Sequence, residues 1–143
     1  MEANSELLER YVELYNRGDL DACMELYAED AVQRMHDGVF VGVEPIRARL
    51  ARDLEAFPDA KYVVESFVED GDSFADEWTF TGTNDGPFHL PDGTDVPPTG
   101  KRVEIKGMEL VEVRGGKIVV DNLYYDFMAA AAQLGLIPEG AVA

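Results

Sequence analysis

The sequence has little cysteine, histidine and positive charge, and each shortage excludes a class of protein. Cys23 is the single cysteine, so no internal disulfide can form, and a reducing compartment suits the chain. The two histidines, His36 and His89, lie far apart in sequence, and no group of cysteines and histidines has the spacing of a zinc site. We therefore predict a cytoplasmic protein without a metal site.

Long apolar runs are also missing, and the chain does not start with the basic and then apolar pattern of a signal peptide. Acidic residues outnumber basic ones by 29 to 12, which gives a net charge of −17. A surface of this charge repels nucleic acid and anionic lipid, so we predict no nucleic-acid partner and no membrane partner. The acids are dispersed along the chain, which is typical of a solvated acidic surface.

The 143 residues are 46% hydrophobic, enough for one folded domain, which we assign to residues 1–143. Helical spacing of apolar residues predicts a first helix from Asn4 or Ser5 to Gly18, and a second one capped by Asp19. A third helix is predicted to start near Pro45 and to end at residue 57. The other predicted elements are strands at 31–35, 62–69 and 74–81, a proline-rich loop at 82–100, and a closing helix at 127–134.

Residues 102–126 are predicted to form a long hairpin, with a tight glycine turn at residues 114–117. Neither face of the hairpin is wholly polar, so we expect helices to cover one face and a partner chain to cover the other. The predicted fold class is α+β: a cone-shaped, curved and mostly antiparallel sheet covered by the N-terminal helices. Such a sheet encloses a cavity, where a ligand is expected to bind.

Several short phrases, in order along the chain, carry a resemblance to a known family. The first is YNRGDLD at residues 15–21. The others lie at residues 27–32, 56–59, 78–83, 86–88, 97–102, 116–119, 124–126 and 133–138. Together they resemble the SnoaL-like polyketide cyclase (ester cyclase) family, of the nuclear-transport-factor-2-like or cystatin-like fold. The resemblance implies a conical pocket, a homodimer formed through the outer sheet face, no cofactor, and an acidic side chain that moves a proton next to a carbonyl.

The resemblance does not carry over the catalytic set of the cyclases. The aspartate that serves as acid/base in the family aligns with Leu123, which cannot carry a proton. A pocket histidine aligns with Glu109, a pocket glutamine with Gly107, and a pocket asparagine with Gln33. The family name alone therefore does not identify the reaction.

Glu109 and Asp121 are the predicted catalytic residues. If Leu123 faces the cavity, the period of a strand places Asp121 on the same face. In the first strand of the hairpin, alternation places Glu109 on one face with Val103, Ile105 and Val111. Counting from the turn pairs Val113 with Ile118 and places Glu109 opposite Asn122. Two carboxyls in an apolar pocket raise the pKa of one of them, which suits a general acid/base near neutral pH. The alternative is a solvated Asp121 and a Glu109 that bonds to the backbone or to a tyrosine.

The predicted substrate-binding residues are one amide and five apolar or aromatic side chains. They are Gln33, Met35, Trp78, Phe80, Leu123 and Tyr125. Gln33 and Met35 share a face of one strand and are expected at the mouth of the pocket. Asp76 shares a face with Trp78 and Phe80, where it would be a third pocket acid or would reach solvent.

Two functions remain open at this point. The first is a cofactor-free cyclase or isomerase that transfers a proton on a small apolar carbonyl compound. The second is a dimeric module that binds an apolar small molecule without catalysis, which the leucine at position 123 favours.

Overall fold

The computed structural model describes residues 3–90 and 92–138, which form four helices, a six-stranded sheet and a small hairpin. The helices are α1 (Asn4–Asn16), α2 (Leu20–Met24), α3 (Val43–Ala56) and α4 (Phe127–Gln133). The strands of the large sheet are β1 (Tyr27–Met35), β2 (Gly38–Val41), β3 (Lys61–Asp70), β4 (Ser73–Thr83), β7 (Arg102–Arg114) and β8 (Lys117–Tyr125). The hairpin joins β5 (Phe88–His89) to β6 (Asp95–Val96).

The large sheet has the order β2-β1-β8-β7-β4-β3, and only the β1–β8 pair is parallel among its described strands. Helices α1 and α3 pack against β3 and β1, and α4 packs against β7. These contacts bury one face of the sheet, called here the inner face. The prediction of an α+β fold with a mostly antiparallel sheet is confirmed. No helix in the described part of the chain is long and apolar enough to cross a membrane.

The predicted cap of α1 is wrong, whereas the predicted cap of α2 is confirmed. Ala3 precedes α1 and makes no side-chain capping bond. The Asn4 side chain instead donates to Glu69 Oε1 (3.3 Å) and to the Gly71 carbonyl (2.9 Å), which ties α1 to the β3–β4 turn. Asp19 Oδ1 accepts from the Ala22 amide at 3.1 Å. A long-range contact therefore replaced the local cap at Asn4.

Several predicted elements differ from the structure. Helix α2 ends at Met24, and Tyr27 already belongs to β1, which is longer than the predicted strand at 31–35. Strand β2 was not predicted, and the proline-rich segment contains the short β5–β6 hairpin instead of being only a loop. Each missed strand is short and acquires its pairing from a neighbour rather than from its own sequence pattern.

A bulge in the long hairpin sets the register of its inner face. Val113 pairs with Ile118 as predicted, but the next pair is Glu112 with Val120, so β8 carries one extra residue. Glu109 consequently lies opposite Leu123, not opposite Asn122 as predicted. The extra residue also places Ile118 and Asp121 on the same face although they are three positions apart, and both are buried.

The outer face of the sheet is exposed and partly apolar. Met108, Leu110 and Tyr124 project from β7 and β8 on this face, and they are 42%, 48% and 63% exposed. Val39, Val41, Val63 and Val68 extend the exposed apolar surface toward both edges of the sheet. The inner face of β7 instead carries Val103, Ile105 and Val111, all buried, so the two predicted faces of this strand are confirmed.

Candidate active site

Three carboxyl side chains lie on neighbouring strands of the inner face. Asp76 on β4 pairs directly with Glu109 on β7, and Asp121 on β8 pairs with Val111, one diagonal step from Glu109. Asp76 and Asp121 are each 3% exposed, so neither is solvated. We name Asp76, Glu109 and Asp121 the carboxyl cluster. The alternative of a solvated Asp121 is wrong.

Gln33 fixes one oxygen of the cluster. It is fully buried on β1 beside Asp121, and its Nε2 donates to Asp121 Oδ2 at 3.2 Å. The expectation that Gln33 lies at the mouth of the pocket is wrong, because the parallel β1–β8 pairing places it beneath the sheet's helical cover. Asp76 Oδ1 is buried and has no hydrogen-bond partner within residues 3–90 and 92–138. In the described part of the chain, the Asp121 carboxyl is therefore held by a hydrogen bond, whereas Asp76 has an oxygen without a partner.

Burial raises the pKa of each carboxyl in the cluster. For Glu109 the pKa lies well above its ordinary value, because burial is reinforced by the charges of Asp121 and Asp76. Burial and the charge of Asp121 raise the pKa of Asp76 to about 7. Burial also raises the pKa of Asp121 to about 6, although hydrogen bonds from Gln33, Glu109 and Tyr27 oppose the rise. Asp76 and Asp121 therefore titrate near neutral pH beside a Glu109 that favours its protonated form, so the cluster can both donate and accept a proton.

Two tyrosines bring hydroxyl groups toward the cluster from α1 and β1. Tyr11 and Tyr27 pack edge to face with ring centroids 6.1 Å apart, and their hydroxyl oxygens are 3.4 Å apart. Burial, with nearby charge from the carboxyl cluster, raises the pKa of both hydroxyls well above the ordinary value. Both tyrosines therefore stay protonated and can serve as hydrogen-bond donors.

Two cavities meet at the inner face. The inner chamber contains Asp76 and Glu109 in its wall. The larger cavity is lined by most of the predicted substrate-binding residues, namely Met35, Trp78, Phe80, Leu123 and Tyr125. Leu50, Tyr62, Trp78 and Leu123 line both and form the ring that separates them. Glu109 thus faces the inner chamber, while Leu123 stands between it and the larger cavity.

Trp78 occupies the space that a side chain at position 107 would need. A Cβ atom on Gly107 would lie 2.4 Å from Trp78 Cη2 and 2.8 Å from the Tyr124 carbonyl oxygen. The pocket glutamine of the cyclases, which the resemblance aligns with Gly107, therefore has no room here. The indole of Trp78 replaces it as part of the wall.

A second charged group was missed from the sequence: the buried Arg49 between two aspartates. Arg49 Nε lies 3.0 Å from Asp37 Oδ2, and Arg49 Nη1 lies 2.8 Å from Asp53 Oδ1. Asp53 lines the larger cavity, next to Tyr125. The i, i+4 spacing of Arg49 and Asp53 on a helix was a signal in the sequence. Asp37 lies in the turn between β1 and β2, and only the tertiary structure brings it to α3.

The charges of this second group depend on one another. Burial opposes the charge of Arg49, but Asp53 and Asp37 outweigh burial and raise the pKa of the guanidinium. Burial raises the pKa of Asp53, and Arg49 works against that rise. Burial raises the pKa of the Tyr125 hydroxyl, and Arg49 opposes that rise. We name Asp37, Arg49 and Asp53 the arginine cluster.

The two histidines lie near the arginine cluster and outside the carboxyl cluster. His36 is exposed and packs against Tyr125 and Phe127, with ring centroids 5.0 Å and 4.7 Å away. His89 Nδ1 lies 2.5 Å from Asp95 Oδ1, and its Nε2 lies 3.1 Å from Glu55 Oε2. His89 therefore ties the β5–β6 hairpin to α3. Within residues 3–90 and 92–138, no group of three or more His, Cys, Asp or Glu side chains could hold a metal ion.

Comparison with known families agrees with this geometry. The sequence model of the family described as SnoaL-like polyketide cyclase matches residues 5–134. A comparison with curated protein sequences returns no match. The family match covers every helix and strand that contributes to the two cavities.

Solved structures of similar proteins have the same fold. IdmH from Streptomyces antibioticus, described as a candidate polyketide cyclase, is 29% identical with a TM-score of 0.79, over 94% of this chain and 99% of that one. AclR from Streptomyces galilaeus, described as a candidate hydroxylase, is 28% identical with a TM-score of 0.81, over 93% of this chain and 81% of that one. A SnoaL-like protein from Jannaschia sp. CCS1, at 24% identity and a TM-score of 0.79, covers 96% of this chain and 99% of that one and supports the fold alone.

Proposed function

The chain belongs to the SnoaL-like polyketide cyclase family, and from that premise we propose that it transfers a proton on a small apolar carbonyl compound without a cofactor. The observation that carries the proposal is the carboxyl cluster. Asp76 and Glu109 face one chamber from paired strands, and the pKa of Asp76 is raised to about 7. Two carboxyls whose pKa values are raised toward neutrality can serve as a general acid and a general base.

The roles follow from the surroundings of each carboxyl. Burial and the charges of Asp121 and Asp76 favour the protonated form of Glu109, so Glu109 donates its proton to the carbonyl oxygen. The Asp76 carboxylate takes the proton from the carbon next to the carbonyl, so an enol forms and no charge is left on the substrate. The charge of Asp121, which Gln33 holds, keeps the Glu109 carboxyl protonated. Return of the proton to another carbon gives an isomer, and attack of the enol on a second carbonyl gives a ring.

The larger cavity supports an apolar substrate. Met35, Trp78, Phe80, Leu123 and Tyr125 supply the proposed binding surface, and aromatic side chains dominate it. In this proposal the substrate lies in the larger cavity and reaches the inner chamber through the ring of Leu50, Tyr62, Trp78 and Leu123. The cyclase aspartate aligns with Leu123. In this proposal the acid/base role is taken by Glu109, which pairs directly with Leu123 across the β7–β8 ladder.

Hydrogen exchange tests this proposal without knowledge of the natural substrate. The wild-type protein is incubated in D₂O with a panel of apolar ketones, such as 2-acetylnaphthalene and 2-tetralone, and loss of the protons next to the carbonyl is followed by NMR. We expect exchange faster than in buffer for part of the panel. Exchange at the buffer rate for every ketone would overturn the proposal for this substrate class.

A non-catalytic binding module is the second candidate, and Leu123 favours it because this side chain separates the larger cavity from Glu109. In that case the protein binds 2-acetylnaphthalene without exchange. Leu123→Asp should then weaken binding by about tenfold or more, because it places a carboxyl in an apolar wall. Equal affinity of this variant and the wild type would contradict a role of Leu123 in the binding surface.

We also propose a homodimer that covers the outer face. The support is the exposed apolar surface formed by Met108, Leu110 and Tyr124, because monomers seldom expose large contiguous apolar patches. Sedimentation should give the mass of two chains for the wild type and of one chain for Leu110→Glu. A monomeric wild type at high concentration would remove this part of the proposal.

A further inference from the structure

The arginine cluster contains one more carboxyl than its guanidinium can neutralise. Arg49, Asp37 and Asp53 are joined by two ion pairs of 3.0 Å and 2.8 Å, and with both carboxyls ionised the cluster carries one net negative charge. The Asp37 side chain is 9% exposed, and its Oδ1 is buried without a hydrogen-bond partner in the described part of the chain. A buried acceptor without a donor costs free energy, so a purely structural brace would not need it.

The cluster stands where a ligand can reach it. Asp53 is the one charged residue among the described residues that line the larger cavity. Asp53, Phe88 and Tyr125 also line a side pocket that contains Asp37. The cavity and the side pocket therefore share Asp53 in their walls. The Asp53 carboxyl is held by Arg49, and its side chain is 23% exposed.

The surroundings of Asp53 suit a flat or cationic ligand. The larger cavity has six aromatic side chains in its wall: Phe57, Tyr62, Trp78, Phe80, Phe88 and Tyr125. Aromatic rings pack against flat apolar ligands and attract cations to their faces. Arg52 and the two histidines face the side pocket on its exposed side, so a negatively charged ligand is the competing possibility.

We propose that Asp53, braced by Arg49 and Asp37, accepts a hydrogen bond from a hydroxyl or ammonium group of an otherwise aromatic ligand in the larger cavity. The donor group binds the cluster at Asp53, its member in the wall of the larger cavity, while the ring packs between Trp78 and Tyr125. Asp53 then determines which ligands are retained and in which orientation. The proposal concerns recognition only and does not depend on proton transfer at Glu109.

Four naphthalene probes of similar size test the recognition. 2-Naphthol and 2-naphthylmethylammonium carry a donor, 2-methoxynaphthalene carries none, and 2-naphthoate carries a negative charge. We expect at least one of the two donor probes to bind more tightly than 2-methoxynaphthalene, by about tenfold or more, as is usual for a hydrogen bond to a charged group. The better of the two donors shows whether the natural group is a hydroxyl or an ammonium. Tightest binding of 2-naphthoate would overturn the proposal.

Matched variants show which carboxyl is responsible. Asp53→Asn should bring the affinities of the donor probe and of 2-methoxynaphthalene to within about threefold, because the amide is a weaker acceptor than a carboxylate. Glu109→Gln should leave the wild-type preference unchanged. A preference that survives in Asp53→Asn and disappears in Glu109→Gln would assign the donor to the carboxyl cluster and overturn the proposal.

A measurement on the wild-type protein guards against a variant that does not fold. Intermolecular NOEs should connect the protons next to the 2-naphthol hydroxyl with the ring protons of Tyr125. NOEs from those same protons to Tyr11 instead would place the hydroxyl in the inner chamber and would contradict the role of Asp53. If the proton-transfer proposal is wrong, neither result changes, because the probe affinities and the NOEs both measure binding.

Discussion

Asp76 and Glu109 are direct partners across the β4–β7 ladder, and both carboxyl groups face the inner chamber. Two acids in this relationship repel one another when both are ionised, so the arrangement does not contribute to stability at neutral pH. It does allow the pair to share a proton, which the proposed acid and base at one carbonyl group require.

Glu109→Gln should remove activity without loss of stability. The amide has the shape of the glutamate but cannot donate or accept a proton, so exchange next to the carbonyl should fall by about 10²- to 10⁴-fold. The melting temperature should stay the same or rise, because a buried acid is replaced by a neutral group. Glu112→Gln, on the exposed outer face of the same strand, is the matched control and should keep the wild-type rate. An unchanged rate in Glu109→Gln would exclude Glu109 as the acid.

The stability of the protein should fall as the pH rises from about 5 to about 8. The pKa of Asp76 is raised from 3.8 to about 7, so folding favours its protonated form. This contribution is fully present below the unfolded pKa and is lost as the pH rises through about 7. For one such group, the free energy of unfolding falls by a few kcal/mol. Urea unfolding at the two pH values measures it.

Asp76→Asn isolates that contribution from the general effect of the net charge. The variant should be less dependent on pH than the wild type over the same interval, because the titrating group is absent. Asp70→Asn, an exposed position at the end of β3, should retain the wild-type dependence. If the Asp76→Asn and wild-type profiles are parallel, Asp76 does not titrate between these pH values.

Arg49→Leu should destabilise the protein by about 3 to 5 kcal/mol, because it leaves Asp37 and Asp53 as buried carboxyls without a cation. Arg47→Leu is a control on the same helix, since Arg47 pairs with the exposed Asp21 and such pairs contribute at most about 1 kcal/mol. Urea unfolding measures both. Equal effects of the two substitutions would show that the arginine cluster is not desolvated.

Gly107→Ala should destabilise the protein by about 3 kcal/mol and displace the indole of Trp78. The added Cβ would lie 2.4 Å from Trp78 Cη2, and the nearby Tyr124 carbonyl prevents the strand from moving away. Trp78 is the only tryptophan, so its fluorescence reports the displacement directly. Gly115→Asn, in an open turn with φ of +60°, is the control and should change neither property appreciably.

Much of the candidate site followed from strand periodicity. The alternation of β7 correctly assigned Glu109 to the inner face, and the pairing of Val113 with Ile118 was also correct. The sequence gives no local sign of the extra residue in β8, because a bulge depends on how two strands fit together. The predicted partner of Glu109 was therefore wrong by one position, although both catalytic candidates lie on the inner face.

The sequence by itself determined the family, the α+β class and the faces of the long hairpin, because these depend on order and period along the chain. Only the tertiary structure determined which acidic side chains lie close together and which partners they contact. Gln33 reaches Asp121 across 88 positions, and Asp37 reaches Arg49 from a different element. Such contacts depend on parallel pairing and on helix docking, which bring together residues that no local pattern links. The proposed chemistry depends on those long-range contacts.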